Sequence, residues 1–214
     1  MNTDLQRTTM KHNINIPGWN GQEILDILGD CAANIRDDGA ILELGALFGR
    51  STYTLGHNKK DSVTLTTIDI WPTVLPENHL SVNYHDGECG EEELALLKSK
   101  LKNGRLEGGD FYELWKEYTK GIINNTSIRD YTTIPNSDFP MFDFIYHDAD
   151  HTYERVYGDL THWLPKLKPN GFIIVDDYEA THFPGVVLAV DQFAAENNFK
   201  LRMVTPRNAF LRRI

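Results

Sequence analysis

The chain has 214 residues with 41% hydrophobic and 24% charged content, the make-up of one globular domain with a sizeable core. Its net charge of −10 argues against a nucleic-acid backbone as partner, because that affinity rests on Lys and Arg neutralising phosphates. No apolar run nears the roughly 20 residues needed to span a bilayer, the polar start lacks a signal-peptide core, and Cys31 and Cys89 give no disulfide framework, so the expected location is a reducing cytoplasm.

Residues 1–19 show no period and read as an N-terminal arm. Gln22–Ile35 carries apolar residues at helical spacing and feeds the stretch Gly39–Thr52, GAILELGALFGRST. That stretch reads as a buried strand ending at Glu43, a tight turn with Gly45 and Gly49, and a helix whose first N–H groups, near Ser51, face outward. The glycines would let the backbone turn and approach a ligand with no Cβ in the way. Glu43 would repel a dinucleotide's pyrophosphate but suits a ligand carrying an ammonium or sulfonium group. The β-branched stretch Val63–Ile70 is the second strand, and its Asp69 lies 24 positions beyond Gly45, where nucleotide-binding α/β folds place a ribose-binding acid. Trp71 follows directly and is grouped with it.

Between Trp71 and Gly121 the pattern is irregular, with helices expected at Glu91–Leu101 and Phe111–Tyr118. The segment exceeds what a crossover needs, so 72–120 is a candidate lid insertion over the site, with the N-terminal arm beside it. Ile122–Ile128, with Ser127 near its end, is the third strand, and Phe139–Tyr146 the fourth. It runs into His147-Asp148-Ala149-Asp150-His151, a helix at Thr152–Leu167, a turn at Lys168–Gly171 and a fifth strand, Phe172–Val175, ending in Asp176-Asp177. A helix over Pro184–Phe199 and short strands at Lys200–Val204 and Asn208–Arg212 close the chain. This alternation predicts one α/β domain: a doubly wound, mostly parallel seven-stranded sheet, helices on both faces, and a C-terminal antiparallel hairpin.

Ligands of open parallel sheets bind at the carboxyl ends of the strands. Glu43, Asp69, Asp148 with Asp150, and Asp176-Asp177 all fall there. Asp148 and Asp176 are one strand–helix–strand unit apart and should converge. Carboxylates meeting at one edge repel unless protonated, and a hard oxygen-bound cation such as Mg²⁺ relieves this. Asp150 alone also suits an ordinary helix cap, and a helix-start histidine such as His151 is often structural.

Glu43–Ser51, as E-L-G-x-x-x-G-x-S, resembles the first motif of class I S-adenosylmethionine-dependent methyltransferases. FDFIYHDADHTYERVYGDLTHWLPKLKPNGFIIVDDY is similar to the fourth-to-fifth strand region of metal-dependent small-molecule O-methyltransferases, nearest the macrocin-type and natural-product sugar group. The resemblance implies a Rossmann-like methyltransferase fold that binds S-adenosyl-L-methionine through Glu43, Gly45, Gly49, Ser51, Asp69, Trp71, Ser127 and Asp148. It implies a divalent metal, Mg²⁺ by default, on Asp148, Asp176 and Asp177. It makes Asp150 the base, with Asp148 and His151 beside it in catalysis. Asn170 stands where that family usually has Gly, and residues 72–120 match nothing in it. The implied partner is a small-molecule acceptor, with no nucleic acid or membrane, and a homo-oligomer is left open. The rival readings are a nicotinamide-dependent oxidoreductase, disfavoured by Glu43 and the lack of G-x-G-x-x-G, and a non-catalytic S-adenosylmethionine-binding module.

Overall fold

Ala40–Leu44 (β1) is buried at every position, which an extended segment achieves only at the centre of a sheet covered on both faces. In the computed structural model, describing residues 10–13, 15–74, 110–179 and 181–214 and isolated positions between 95 and 106, β1 is flanked in parallel by Thr64–Asp69 (β2) and Phe142–His147 (β4). Asn125–Arg129 (β3) extends the sheet beyond β2, and Leu167–Val175 (β5) lies beyond β4, both parallel. Phe199–Thr205 (β6) and Asn208–Arg213 (β7) add the antiparallel hairpin, in the order β3-β2-β1-β4-β5-β7-β6. The expected seven-stranded sheet is therefore present.

Period-two alternation divides the core between two faces. Ile41 and Phe144 point to the side covered by Ile24 and Leu28 of Gln22–Ala33 (α1) and Leu55 of Arg50–Asn58 (α2). Leu42 and Ile145 point to the side covered by Val156 and Leu160 of Tyr153–Trp163 (α4) and Val190 and Phe193 of Pro184–Glu196 (α5). Phe111–Tyr118 (α3) instead packs across the carboxyl edge, where Ile16, Phe48, Trp71, Phe111 and Trp115 form a third, mostly aromatic cluster.

Several boundaries moved for local reasons. The third strand begins at Asn125, not Ile122, because Asn124 turns left-handed (φ 51°) and leaves Ile123 exposed. The helix predicted to Leu167 stops at Trp163 and tightens into a 3₁₀ turn over Leu164–Lys166 with Pro165 inside it. Leu167 already pairs with Phe142, so β5 starts five residues early and slips register before Phe172. The predicted helix at Glu91–Leu101 and most of the 72–120 insertion lie outside the described residues, apart from a two-residue antiparallel pairing of Leu101–Lys102 with Arg105–Leu106.

Residues 15–20, the end of the arm and the residue that follows it, are docked. Ile16 is fully buried, and Arg50, itself 2% exposed, donates from Nε to the Ile16 carbonyl (2.6 Å) and from Nη1 to the Asn20 carbonyl (3.1 Å). Among the described residues no helix is long and apolar enough to cross a membrane.

Candidate active site

The glycine turn after β1 is closed mainly by the chain itself. A Cβ on Gly45 (φ 84°) would overlap the Asp148 carbonyl oxygen and lie 2.5 Å from its carbon. Gly49 (φ 93°) leaves room for Thr119 and for Trp115, whose Cδ1 would be 2.9 Å from an added Cβ. These glycines therefore admit neighbouring protein, where the sequence suggested an approaching ligand. Gly45 presses the turn after β1 against the loop after β4, which brings Asp148 to it.

Glu43 is fully buried, and its carboxylate is engaged by three hydroxyls: Ser51 Oγ on Oε1 (2.6 Å), Thr52 Oγ1 on Oε2 (2.6 Å) and Thr67 Oγ1 on Oε2 (2.9 Å). It ties β1 to β2 and to the head of α2 instead of facing outward, and Ser51 (2% exposed) is drawn in with it. Burial pushes its carboxyl up to about 7 against the opposing pull of the three hydroxyls. Asp69 accepts from the Ala46 and Leu47 N–H groups on Oδ2 (2.7 and 2.9 Å) and from Trp71 N–H on Oδ1 (2.6 Å). It thus clamps the glycine turn to the end of β2. Trp71 is wholly buried, donating Nε1–H to the Leu47 carbonyl (2.8 Å) with its ring against Tyr112 and Trp115. Ser127 is in mid-strand and bonded to Tyr112 Oη (2.9 Å), so it belongs to the same aromatic layer. The exposed large apolar side chains near Asp69 include Ile70, next to it, and Tyr131, which follows the Asp130 whose N–H bonds the Asp69 carbonyl (3.1 Å); periodicity did not single them out.

The acids after β4 and β5 converge. Asp148, His151 and Asp177 each offer a ligand atom within 4.8 Å of the others. His151 Nε2 lies 2.8 Å from Asp177 Oδ2, near enough for an ion pair but outside hydrogen-bond geometry, and so is a buried nitrogen with no hydrogen bond. Two acids and an imidazole with a buried nitrogen directed at them fit a divalent cation. Asp176, a predicted ligand, is not in this group, since both its oxygens are engaged: Oδ1 accepts from Asn208 Nδ2, and Oδ2 from Asn20 Nδ2 (2.9 Å) and Tyr146 Oη (3.1 Å). Asp150 is exposed, with Oδ1 held by Thr152 N–H (2.7 Å) and Thr152 Oγ1 (2.6 Å) at the start of α4. His147 is buried against Asp159 (3.0 Å) and knits β4 to α4.

Electrostatics sorts the cluster. Burial and the neighbouring Asp176 and Asp177 drive the Asp148 carboxyl well above its usual range, and burial with Asp177 pushes Asp176 up to about 6. Asp177 stays low although burial opposes ionisation, because His151 and the Arg207 guanidinium both face it. Burial lowers the His151 imidazole, but Asp177, Asp176 and Asp150 outweigh it and raise it. Asn20, Arg207 and Asn208 carried no sequence signal and reach the acids from distant segments, whereas Tyr146 reaches them from β4 itself, two residues before Asp148. Three non-glycine residues at this edge, Leu47, Trp71 and Asp177, have positive φ (47°, 39° and 55°), a clustering of backbone strain typical of functional sites.

Known structures place this fold among Rossmann-like methyltransferases. The O-methyltransferase NovP superposes with a TM-score of 0.61 at 18% identity, over 89% of this chain and 79% of its own. CalS11, a TDP-rhamnose 3′-O-methyltransferase of calicheamicin biosynthesis, gives 0.56 at 16%, over 88% and 76%. An O-methyltransferase from Bacillus cereus in complex with SAH gives 0.52 at 18%, over 93% and 85%. No curated protein matches. Residues 42–178, more than half of the chain, match the family described as a methyltransferase domain, and the chain belongs to that family.

Proposed function

We propose that the protein transfers a methyl group from S-adenosylmethionine to a hydroxyl of a small molecule, with a divalent cation held by Asp148, His151 and Asp177. The carrying observation is the contact between Gly45 and the Asp148 backbone, which sets the turn of the methyltransferase motif directly against the acid cluster. S-adenosylmethionine supplies a methyl on a positively charged sulfur, and the cation supplies Lewis acidity toward the acceptor hydroxyl. The chain's own task is alignment and water exclusion. Ile70 and Tyr131, exposed beside Asp69, offer apolar surface to the donor's flat base, and Asp69 and the turn it clamps lie next to them. Asp150 sits beside the cluster with its orientation set by Thr152, and it accepts the hydroxyl proton. Thr152 also keeps Asp150 ionised, its bonds outweighing the effect of partial burial.

A metal-free version has one observation in its favour: Arg207 already places a fixed positive charge on Asp177. The deciding experiment measures transfer of labelled methyl from S-adenosylmethionine to a panel of catechols and sugars, with added Mg²⁺ or with excess EDTA. Melting shifts with S-adenosylmethionine and with NADH are measured alongside. We expect S-adenosylmethionine at 100 times its Kd to raise Tm by about 5–10 °C, from about 2.7 kcal/mol of binding linkage, and EDTA to stop turnover. A shift with NADH alone would overturn the methyltransferase chemistry. Full turnover in EDTA would overturn the metal only.

A further inference from the structure

Asn20 lies just past the N-terminal arm, between it and α1, yet it is 7% exposed and its side chain lies inside the acid cluster. Its Nδ2 carries two protons and meets three oxygens: Tyr146 Oη at 2.9 Å, Asp176 Oδ2 at 2.9 Å and Asp148 Oδ2 at 3.2 Å. Tyr146 has one hydroxyl proton and lies 3.2 Å from Asp148 Oδ2 and 3.1 Å from Asp176 Oδ2, so it donates to one carboxylate at a time. Of the three amide and hydroxyl protons these groups share, two belong to Asn20. The amide is not free to drift, because Arg50 holds the Asn20 carbonyl and the Ile16 carbonyl four residues earlier. Arg50 is also the first residue of α2, the helix that follows the glycine turn.

We propose that Asn20 is a positioning residue: its amide ties Asp148 to Asp176, and so sets how Asp148 is presented to His151 and Asp177. The role rests on the methyltransferase reading above, since it matters only if those three side chains hold a cation. The stretch Ile16–Asn20 thereby becomes part of the site, joining the helix behind the glycine turn to the acids after β4 and β5. A purely structural Asn20 would instead stabilise the arm and leave ligand affinities in their native ratio.

The test uses the full chain carrying Asn20→Ala or Asn20→Ser, with Mn²⁺ and S-adenosylhomocysteine affinities measured separately by calorimetry and Tm recorded. Groups that orient a metal ligand typically contribute 10–100-fold in metal affinity. We expect Asn20→Ala to weaken Mn²⁺ binding by about tenfold or more and to change S-adenosylhomocysteine affinity less than about threefold. Asn20→Ser keeps one donor proton and should recover part of the loss; it also carries the test if the alanine variant does not fold. Native Mn²⁺ affinity in both variants overturns the proposal alone. So does a parallel loss of both ligands in step with Tm, which marks a structural role. If the unmodified protein itself binds no Mn²⁺, the metal reading falls and this proposal falls with it.

Discussion

Replacing Gly45 with alanine should damage the fold and the site together, for two separable reasons. The first is conformational: Gly45 has φ 84°, and an L-residue there loses about 1–2 kcal/mol. The second is steric. The new methyl would overlap the Asp148 carbonyl and lie 2.7 Å from Ala149 Cα, and these are backbone atoms at the end of a central strand that cannot swing aside. Overpacking of this kind costs about 1–3 kcal/mol, so the sum is about 2–5 kcal/mol. At about 2–4 °C per kcal/mol for a chain this size, Tm should fall by about 4–20 °C. Two controls divide the sum. Gly121 has φ 89° with nothing within 4 Å of an added Cβ, so Gly121→Ala measures the conformational part. Gly158 lies in α4, also with open space, and Gly158→Ala should gain about 0.5–1 kcal/mol of helix stability. Differential scanning calorimetry of the three variants gives the ordering, and the Gly45 variant should also lose Mn²⁺ affinity as the Asp148 backbone is pushed away. If Gly45→Ala costs no more than Gly121→Ala, the turn does not press on the β4 loop and the argument for a joined site is refuted.

Glu43 makes stability depend on pH with a definite sign. Its folded carboxyl is raised from 4.5 to about 7, so the native chain retains a proton that the unfolded chain releases, and stability falls as pH climbs through that window. The fall is about 3 kcal/mol at most, and Asp176, raised to about 6, adds the same sign. Denaturant titrations between pH 4 and 8 should therefore show Glu43→Gln with a flatter profile than the native protein; parallel profiles would contradict a buried, proton-holding Glu43. His151 gives a second check, because its Nε2 is buried without a hydrogen bond. Millimolar Mn²⁺ should raise the Tm of the native protein and leave His151→Ala and Asp177→Asn unmoved, while an equal rise in all three would place the ion elsewhere.

Local patterns in the sequence determined which segments became strands and which acids reached the carboxyl edge. The apolar run before Glu43, the β-branched run before Asp69 and the aromatic run before Asp148 each carry their period within a few residues, and the structure places each acid at or just past a strand end. The closing antiparallel pair was legible for the same reason, two short β patterns a turn apart. What those acids touch was decided only by the tertiary structure. Glu43 directs its carboxylate to Ser51, Thr52 and Thr67, and Asp69, expected to face a ribose, accepts from the N–H groups of Ala46, Leu47 and Trp71. Asp176 turns to Asn20 and Asn208, leaving His151 as the third member of the convergent group. Asn20 is more than a hundred positions from Asp148, and Arg207 is thirty from Asp177. No periodicity spans such distances. A strand's register is written in its own alternation, whereas the direction of a carboxylate depends on which donors the crossovers and the arm bring within 3 Å, and that is settled only when the sheet closes and the two helical layers pack.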